Sequence, residues 1–399
     1  MKPRSTLLSF LRLVPLVCVA ALAGCASAPL QPGAPIATLF ADARFAPPSE
    51  PVGADDLFTL SPAMHNYLRG AEFTAQVRSK GVERGLIDAL YQKGELNLDY
   101  DASSTRNASD TFNTRSGNCL SLVIMTAAFA KALGTTVYYQ SVKTDPTWSR
   151  DQSLHVASHH VNLSFLKRNH YGVGNDGDRM LTVDFLPSSD VAGYRTEPLT
   201  EGRIVAMYLN NRAAEALARK QFDLAYWWAR KAVEQDPTFL AGYNTLAVVY
   251  QRHGERPLAE RVFRDALVRE PDNTVLMNNL MGLLVQQGRT AEAQALAQRL
   301  AVLEPVPPFH YFNKGLAAMK NKDYQSAKNL FEKEVARAPY YHEFHFWLAE
   351  AALGLGHAGA AREQLALALE TSNTPGARER YSAKLEHLRA NNPARPRAN

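Results

Sequence analysis

The chain has 399 residues, of which 46% are hydrophobic, 21% charged and 9% aromatic. These values are typical of globular proteins with two or three domains, and they exclude wholesale disorder, a collagen-like chain and a polytopic membrane protein. The formal net charge is +5, of which +3 lies in residues 1–24, and the small remainder argues against a nucleic-acid partner, which requires a concentrated basic surface.

Residues 1–24 have the pattern of a secretion signal: a basic start, then an apolar run too short for a confident membrane span. The run ends in Leu22-Ala23-Gly24-Cys25, which resembles the lipobox of bacterial lipoproteins. The resemblance implies that Cys25 is lipidated and becomes the first mature residue. It also implies a protein of the cell envelope, anchored to the outer membrane and facing the periplasm. The alternative is an ordinary secretion signal with a cysteine there by chance.

Residues 25–55 follow as the lipidated cysteine and a flexible tether. Residues 26–55 contain six prolines and little hydrophobic periodicity, a composition typical of linkers.

Residues 56–203 have the pattern of an α+β domain. Apolar residues at three- and four-residue spacing predict helices at 62–78 and 81–94. A buried helix follows from Cys119 to Leu133, with Gly134 as its stop. Three alternating segments predict strands, at 137–142, 160–165 and 181–186.

Cys119, His160 and Asp184 are the candidate catalytic residues. Cys119 would open a helix, where the macrodipole favours the thiolate form. A thiolate used as a nucleophile needs a base to take its proton, and the base needs a carboxylate to orient it. His160 and Asp184 lie on the next two predicted strands and can supply these groups.

The stretch Arg115-Ser116-Gly117-Asn118-Cys119-Leu120-Ser121, the alanine-rich helix after it and the order Cys, His, Asp resemble the transglutaminase-like branch of the papain-type thiol enzymes. The resemblance covers about residues 100–190. It implies a papain-like fold, with Cys119 as nucleophile, His160 as base and Asp184 as the orienting acid. Residues 167–179 would be a hairpin insertion between the last two.

Other functions for these residues remain open. His159 and His155 compete with His160 as the base, and strand alternation would direct His159 and His160 to opposite faces. The three histidines could instead bind zinc together with Cys119. Cys119 could also be a small hydrophobe on a buried helix. The zinc alternative lacks the spacing of a known metal site, so no metal is expected. No P-loop and no G-x-G-x-x-G after a strand occurs, so no nucleotide, flavin or haem cofactor is expected.

The C-terminal half has a 34-residue repeat. Prolines recur at 237, 271, 305 and 339, and alanine stands twelve residues before each. This period and these small residues resemble tetratricopeptide repeats. The resemblance implies an all-α solenoid of about five helical hairpins at 204–375. Residues 376–399 are predicted to be a disordered tail.

The first helix of each hairpin is expected to line a concave groove that binds a protein or peptide. Side-chain amides can bracket an extended backbone, or they can simply satisfy neighbouring helices. The partner-binding candidates at equivalent positions are Asn210, Asn244, Asn278, Phe312 and Phe346.

The sequence therefore predicts a multidomain envelope lipoprotein with a transglutaminase-like domain followed by a solenoid. The predicted function is hydrolysis or acyl transfer at a protein or peptide amide, with the repeats recruiting the substrate. The alternative is a catalytically inactive lipoprotein scaffold in which both halves bind proteins. A peptidoglycan peptide amidase is a third option.

Overall fold

The structure is a computed structural model that describes residues 33–91, 96, 98–101, 104–151, 154–166, 180–185, 195–339, 341–372 and 375–390. The predicted signal, Cys25 and the predicted hairpin insertion lie outside these ranges. Within them, no helix is both long enough and apolar enough to cross a membrane.

Three short α-helices begin the α+β part, α1 (Pro62–Arg69), α2 (Ala71–Lys80) and α3 (Val82–Tyr91). The Ser61 hydroxyl caps α1 by accepting a hydrogen bond from the Met64 N–H. The sequence predicts one helix over 62–78, whereas Gly70, whose backbone is extended, separates two. The helical region is therefore predicted correctly, but its division is not.

A buried helix forms the centre of the α+β part. The segments β1 (Asp99–Tyr100) and β2 (Ser116–Gly117) pair in parallel around α4 (Ala108–Thr114). Helix α5 (Cys119–Ala132) then runs through the core, with every residue from 120 to 130 buried. This burial on all sides explains its continuous apolar sequence.

A four-stranded antiparallel sheet packs against α5, in the order β5-β4-β3-β6. Its strands are β3 (Val137–Asp151), β4 (Leu154–Leu166), β5 (Met180–Val183) and β6 (Arg195–Leu199). The first three lie where alternation predicts strands, although β3 and β4 are much longer. The transglutaminase-like fold of this region stays a prediction, because the sheet is small.

Helical hairpins follow from residue 201 onwards. The helices are α6 (Glu201–Ala218), α7 (Phe222–Gln235), α8 (Leu240–His253), α9 (Arg256–Arg269), α10 (Thr274–Gln286), α11 (Thr290–Leu303), α12 (His310–Lys320), α13 (Tyr324–Arg337), α14 (His342–Gly354) and α15 (Ala358–Thr371).

The repeated alanines lie where the second helix of each hairpin packs on the first. All five are at most 5% exposed: Ala225, Ala259, Ala293, Ala327 and Ala361. The side chain four residues further on is buried in four hairpins and exposed in the third, at Ala297. Helix α11 accordingly buries only Ala293 and Leu300.

The apolar core is divided at the same place. One cluster extends from Leu39 in the N-terminal segment through the sheet to Ala293, and separate smaller clusters begin at Phe309. Val302, near the end of α11, is 80% exposed. The hairpins therefore form two stacks, joined by a linker that contains three prolines.

The tether prediction is wrong for residues 33–46, which lie along α7, α8 and α9 as a strap. The Phe45 ring stacks on Tyr226 with 4.0 Å between centroids, and the Tyr250 hydroxyl donates to the Leu39 carbonyl oxygen at 2.8 Å. Leu39 is 1% exposed. The local sequence does not indicate this packing, because Tyr226 and Tyr250 lie 181 and 211 residues after Phe45 and Leu39.

The disordered-tail prediction is wrong for residues 376–390. These residues form most of a further helix, α16 (Pro375–Ala390), which packs against α15. Tyr381 is fully buried, and Leu385 is 4% exposed. Helix α16 therefore covers the apolar end of the second stack, as the terminal helix of a repeat protein commonly does.

The predicted boundary at 203/204 falls inside α6. This helix packs against α5, β3, α7 and α8, and its residues belong to the same apolar cluster as the sheet. The sheet and the first stack of hairpins are therefore continuous.

Candidate functional site

Cys119 is the first residue of α5. The side-chain oxygen of Asn118 caps this helix, accepting hydrogen bonds from the Ser121 N–H and the Ser121 hydroxyl, both at 2.9 Å. Cys119 is partly exposed and is the free cysteine of the described residues. The sequence predicts this position correctly from the Gly-Asn-Cys entry.

His160 and Asp184 lie together beside the start of α5. His160 is on β4 and is 6% exposed, and its Nε2 lies 2.6 Å from Oδ1 of Asp184. Asp184 follows the last residue of β5, whose Val183 pairs with Leu163. The pairing of neighbouring strands thus places the carboxylate against the imidazole.

The pKa of His160 reflects both of its neighbours. Burial disfavours the charged ring, but the Asp184 hydrogen bond and the interaction with the Cys119 thiol outweigh it and raise the pKa to about 9. The histidine therefore interacts with Cys119 on one side and Asp184 on the other. At neutral pH the imidazolium is the favoured form.

Asn162 is a member of this group that sequence reasoning missed. It is 4% exposed, and its Nδ2 donates to Oδ2 of Asp184 at 2.9 Å. Its own oxygen is buried and has no hydrogen-bond partner among the residues that the structure describes. The signal was available, because strand alternation places residues 160 and 162 on the same face.

The side chains of His155 and His159 lie outside the described residues. In the part of the chain that is described, no three His, Cys, Asp or Glu side chains form a group able to hold a metal ion.

The predicted groove residues do not share one environment. The Asn278 amide donates to the Thr274 carbonyl oxygen one turn back, and Asn244 accepts a hydrogen bond from Asn279. The oxygen of Asn210 is buried, and no donor in the described part of the chain lies within hydrogen-bond distance of it. These three asparagines are half-buried, and α10, which carries Asn278, packs against β4.

The prediction for Phe312 is wrong, because this side chain is 1% exposed and lies in the core of the second stack among Phe331 and Phe344. Phe346 stacks on Tyr381 of α16 with 5.0 Å between ring centroids. The helical period places both rings at helix packing contacts instead of in an open groove.

Two regions match family models described as tetratricopeptide repeat, residues 191–306 and residues 318–386. The interval between them, residues 307–317, contains two of the three prolines of the linker between the stacks.

Two curated relatives resemble part of the chain. The Type IV pilus assembly protein PilF of Pseudomonas aeruginosa is 35% identical over 108 residues, which are 27% of this chain and 43% of PilF. The cellulose synthase operon protein C of Xanthomonas axonopodis pv. citri is 37% identical over 103 residues, which are 25% of this chain and 7% of that protein. The chain thus spans less than half the length of either relative.

The solved structures that resemble part of this chain have low TM-scores when compared with it. A crystal structure of MamA is 19% identical and covers 45% of this chain and 94% of its own, with a TM-score of 0.24. The structure of Pseudomonas aeruginosa PilF is 24% identical and covers 49% of this chain and 96% of its own, with a TM-score of 0.29. The assignment rests on the family matches and the repeat itself: residues 191–306 and 318–386 of this chain are tetratricopeptide repeats.

Proposed function

We propose that the protein is a scaffold of the bacterial cell envelope whose repeats bind another protein. The observation that carries this proposal is the pair of tetratricopeptide matches, because stacked helical hairpins present extended surfaces to protein and peptide partners. The partial resemblance to a pilus assembly protein supports a role in an envelope assembly.

The half-buried asparagines of the first helices are the proposed contact residues. The test is cross-linking of the full chain in cells, with the partner identified by mass spectrometry. Asn210→Ala combined with Asn278→Ala should reduce recovery of that partner. The control is Asn329→Ala, an exposed asparagine on a second helix. Equal recovery from both variants would exclude the asparagines as contacts.

The proposed anchor is a lipid on Cys25, which would hold the scaffold at the outer membrane, facing the periplasm. The apolar run and the Leu-Ala-Gly-Cys ending support it. Cells grown with an alkyne-labelled fatty acid should yield labelled protein from the wild type and none from Cys25→Ala. Equal labelling of the two proteins would refute the anchor.

A second function is supported by one specific observation, the interaction of His160 with both Cys119 and Asp184. We propose that a transglutaminase-like domain at 56–203 uses these residues for acyl transfer at a protein or peptide amide. Against the effect of burial, the hydrogen bond with Asp184 and the contact with Cys119 raise the pKa of His160 to about 9, so the ring can hold the proton that the sulfur gives up.

In this mechanism the Cys119 sulfur attacks the amide carbonyl carbon, and its proton resides on His160. As the C–N bond breaks, His160 gives that proton to the leaving amine and a thioester remains. Water or a second amine then attacks the thioester, His160 takes the proton of the attacking group, and Cys119 is released. Asp184 keeps the ring oriented, and the Cys119 N–H at the helix start is the proposed donor to the oxyanion.

The test follows each thiol of the full chain separately by peptide mass spectrometry after limited treatment with iodoacetamide at pH 6.5. Cys119 should react at least tenfold faster than in urea-unfolded protein, and His160→Ala should remove most of this advantage. His357→Ala, at an exposed histidine far along the chain, is the matched control. If Cys119 reacts no faster in the folded wild type than in unfolded protein, the thiol chemistry is refuted and only the scaffold function remains.

A further inference from the structure

Helix α6, the first helix of the solenoid, contacts the loop at residues 104–107, which precedes α4. The contact residue is Thr105, which is 2% exposed. Its N–H donates to Oε1 of Glu215 at 2.6 Å, and its hydroxyl oxygen accepts from Nδ2 of Asn211 at 3.2 Å. Both partners belong to α6, so the repeats hold this loop through its main chain and its side chain.

The Thr105 hydroxyl also binds Asn118, the residue that caps α5, and α5 begins with Cys119. Nδ2 of Asn118 donates to Oγ1 of Thr105 at 2.8 Å, while Oδ1 of Asn118 accepts from Ser121. Asn118 and Ser121 are 9% and 0% exposed. A side-chain amide has one donating end and one accepting end, so these partners together select a single orientation of the Asn118 amide.

The loop is also fixed from its other side. The Arg106 N–H donates to the Ser121 hydroxyl at 2.9 Å, and the Arg106 guanidinium contacts Asp101 at 2.8 Å. Buried polar groups in such a network lose more than one interaction when a single member is removed, because the remaining groups have no water to replace it. A change in α6 therefore acts on the residue immediately before Cys119.

We propose that the solenoid regulates the thiol site directly, with Asn211 and Glu215 of α6 as positioning residues for Cys119. This inference rests on the proposed thiol chemistry. Helix α6 lies within the first tetratricopeptide match, so a protein that binds the first repeat and shifts α6 would alter the start of α5 through Thr105.

The experiment measures the iodoacetamide rate of Cys119 in the full-length protein for variants at both ends of the network. Asn211→Ala, Thr105→Val and Glu215→Ala should each slow the reaction by roughly fivefold, the effect of one buried hydrogen bond. Glu215→Gln should restore a rate within about twofold of the wild type, because the amide oxygen still accepts from Thr105. Glu215→Ala removes both the volume and the acceptor of Glu215, whereas Thr105→Val keeps the volume of threonine and removes only the hydroxyl that binds Asn118 and Asn211. A slower reaction in Thr105→Val therefore separates the loss of hydrogen bonds from a merely structural loss of packing.

Asn329→Ala is the control for an asparagine substitution within the repeats, and circular dichroism establishes that each variant is folded. If Asn211→Ala does not fold, the comparison of the Cys119 rates in Glu215→Ala and Glu215→Gln tests the proposal instead. A reactive wild type whose rate is unchanged in folded Thr105→Val and Glu215→Ala would overturn only this inference. A wild-type Cys119 that reacts no faster than unfolded protein would overturn the thiol chemistry and this inference with it.

Discussion

The imidazole of His160 and the carboxylate of Asp184 are joined by a contact of 2.6 Å between Nε2 and Oδ1. The second oxygen of Asp184 accepts from Asn162 at 2.9 Å. Each carboxylate oxygen therefore has its own donor, and the carboxylate cannot rotate without breaking one of the two bonds. Such an arrangement fixes the orientation of the ring as well as its charge.

Replacement of the carboxylate should lower the pKa of His160. In Asp184→Asn the negative partner is lost while burial remains, so the pKa should fall from about 9 towards or below its ordinary value. An NMR titration of the histidine ring protons measures this change. Asp272→Asn, at an exposed aspartate in the repeats, should leave the titration unaltered, and an unchanged His160 in Asp184→Asn would contradict the assignment of the pair.

Stability should fall as the pH rises through the slightly alkaline range. The pKa of His160 is raised in the folded protein, so its charged form stabilises the fold fully below about pH 6.5 and progressively less up to about pH 9. The expected loss in the free energy of unfolding is on the order of 1–3 kcal/mol. Urea unfolding at pH 6 and pH 9.5 measures it. His160→Gln should show a smaller difference, and equal differences in both proteins would assign the pH dependence to other groups.

Removal of the strap's aromatic anchor should destabilise the first stack. Phe45 is 6% exposed and stacks on Tyr226, so Phe45→Ala should lower the free energy of unfolding by about 2–4 kcal/mol. Val302→Ala, at an 80% exposed side chain, should change it by less than about 0.5 kcal/mol. Chemical denaturation provides both values, and similar small effects would show that the strap contributes little to the fold.

Substitution by alanine at two helical glycines should change the stability of the protein in opposite directions. A Cβ at Gly315 of α12 would overlap the Phe331 ring, whereas nothing lies near a Cβ at Gly282 of α10. Gly315→Ala should therefore destabilise the protein by about 1–3 kcal/mol, and Gly282→Ala should stabilise it by about 0.5–1 kcal/mol. Thermal melts compare the two, and stabilisation by both would mean that α12 does not pack closely on α13.

The repeats could be predicted from the sequence because their information is local and periodic. A 34-residue spacing recurs whatever the rest of the chain does, and each alanine in the series faces the partner helix of its own hairpin. The start of α5 is also predictable from local sequence, because its cap joins Asn118 to Ser121, only three residues further on.

The remaining features depend on contacts between distant parts of the chain. Nothing near Phe45 indicates that its ring meets Tyr226, and nothing near Thr105 indicates that it meets Glu215. The misassigned Phe312 has a similar origin, since the helical period alone does not say which face a neighbouring helix covers.

Ala297 and Val302 of α11 are exposed. Their exposure marks the point in the solenoid where the next hairpin does not cover the preceding one. Cooperativity in stacked repeats passes from neighbour to neighbour, so it should be interrupted there. Residues 310–390 would then open and close as an autonomous unit, while amide protons of α5 and β4 exchange with solvent only when the larger body itself unfolds. The molecule would then combine a slowly exchanging part that contains Cys119 with a terminal module that unfolds without disturbing it.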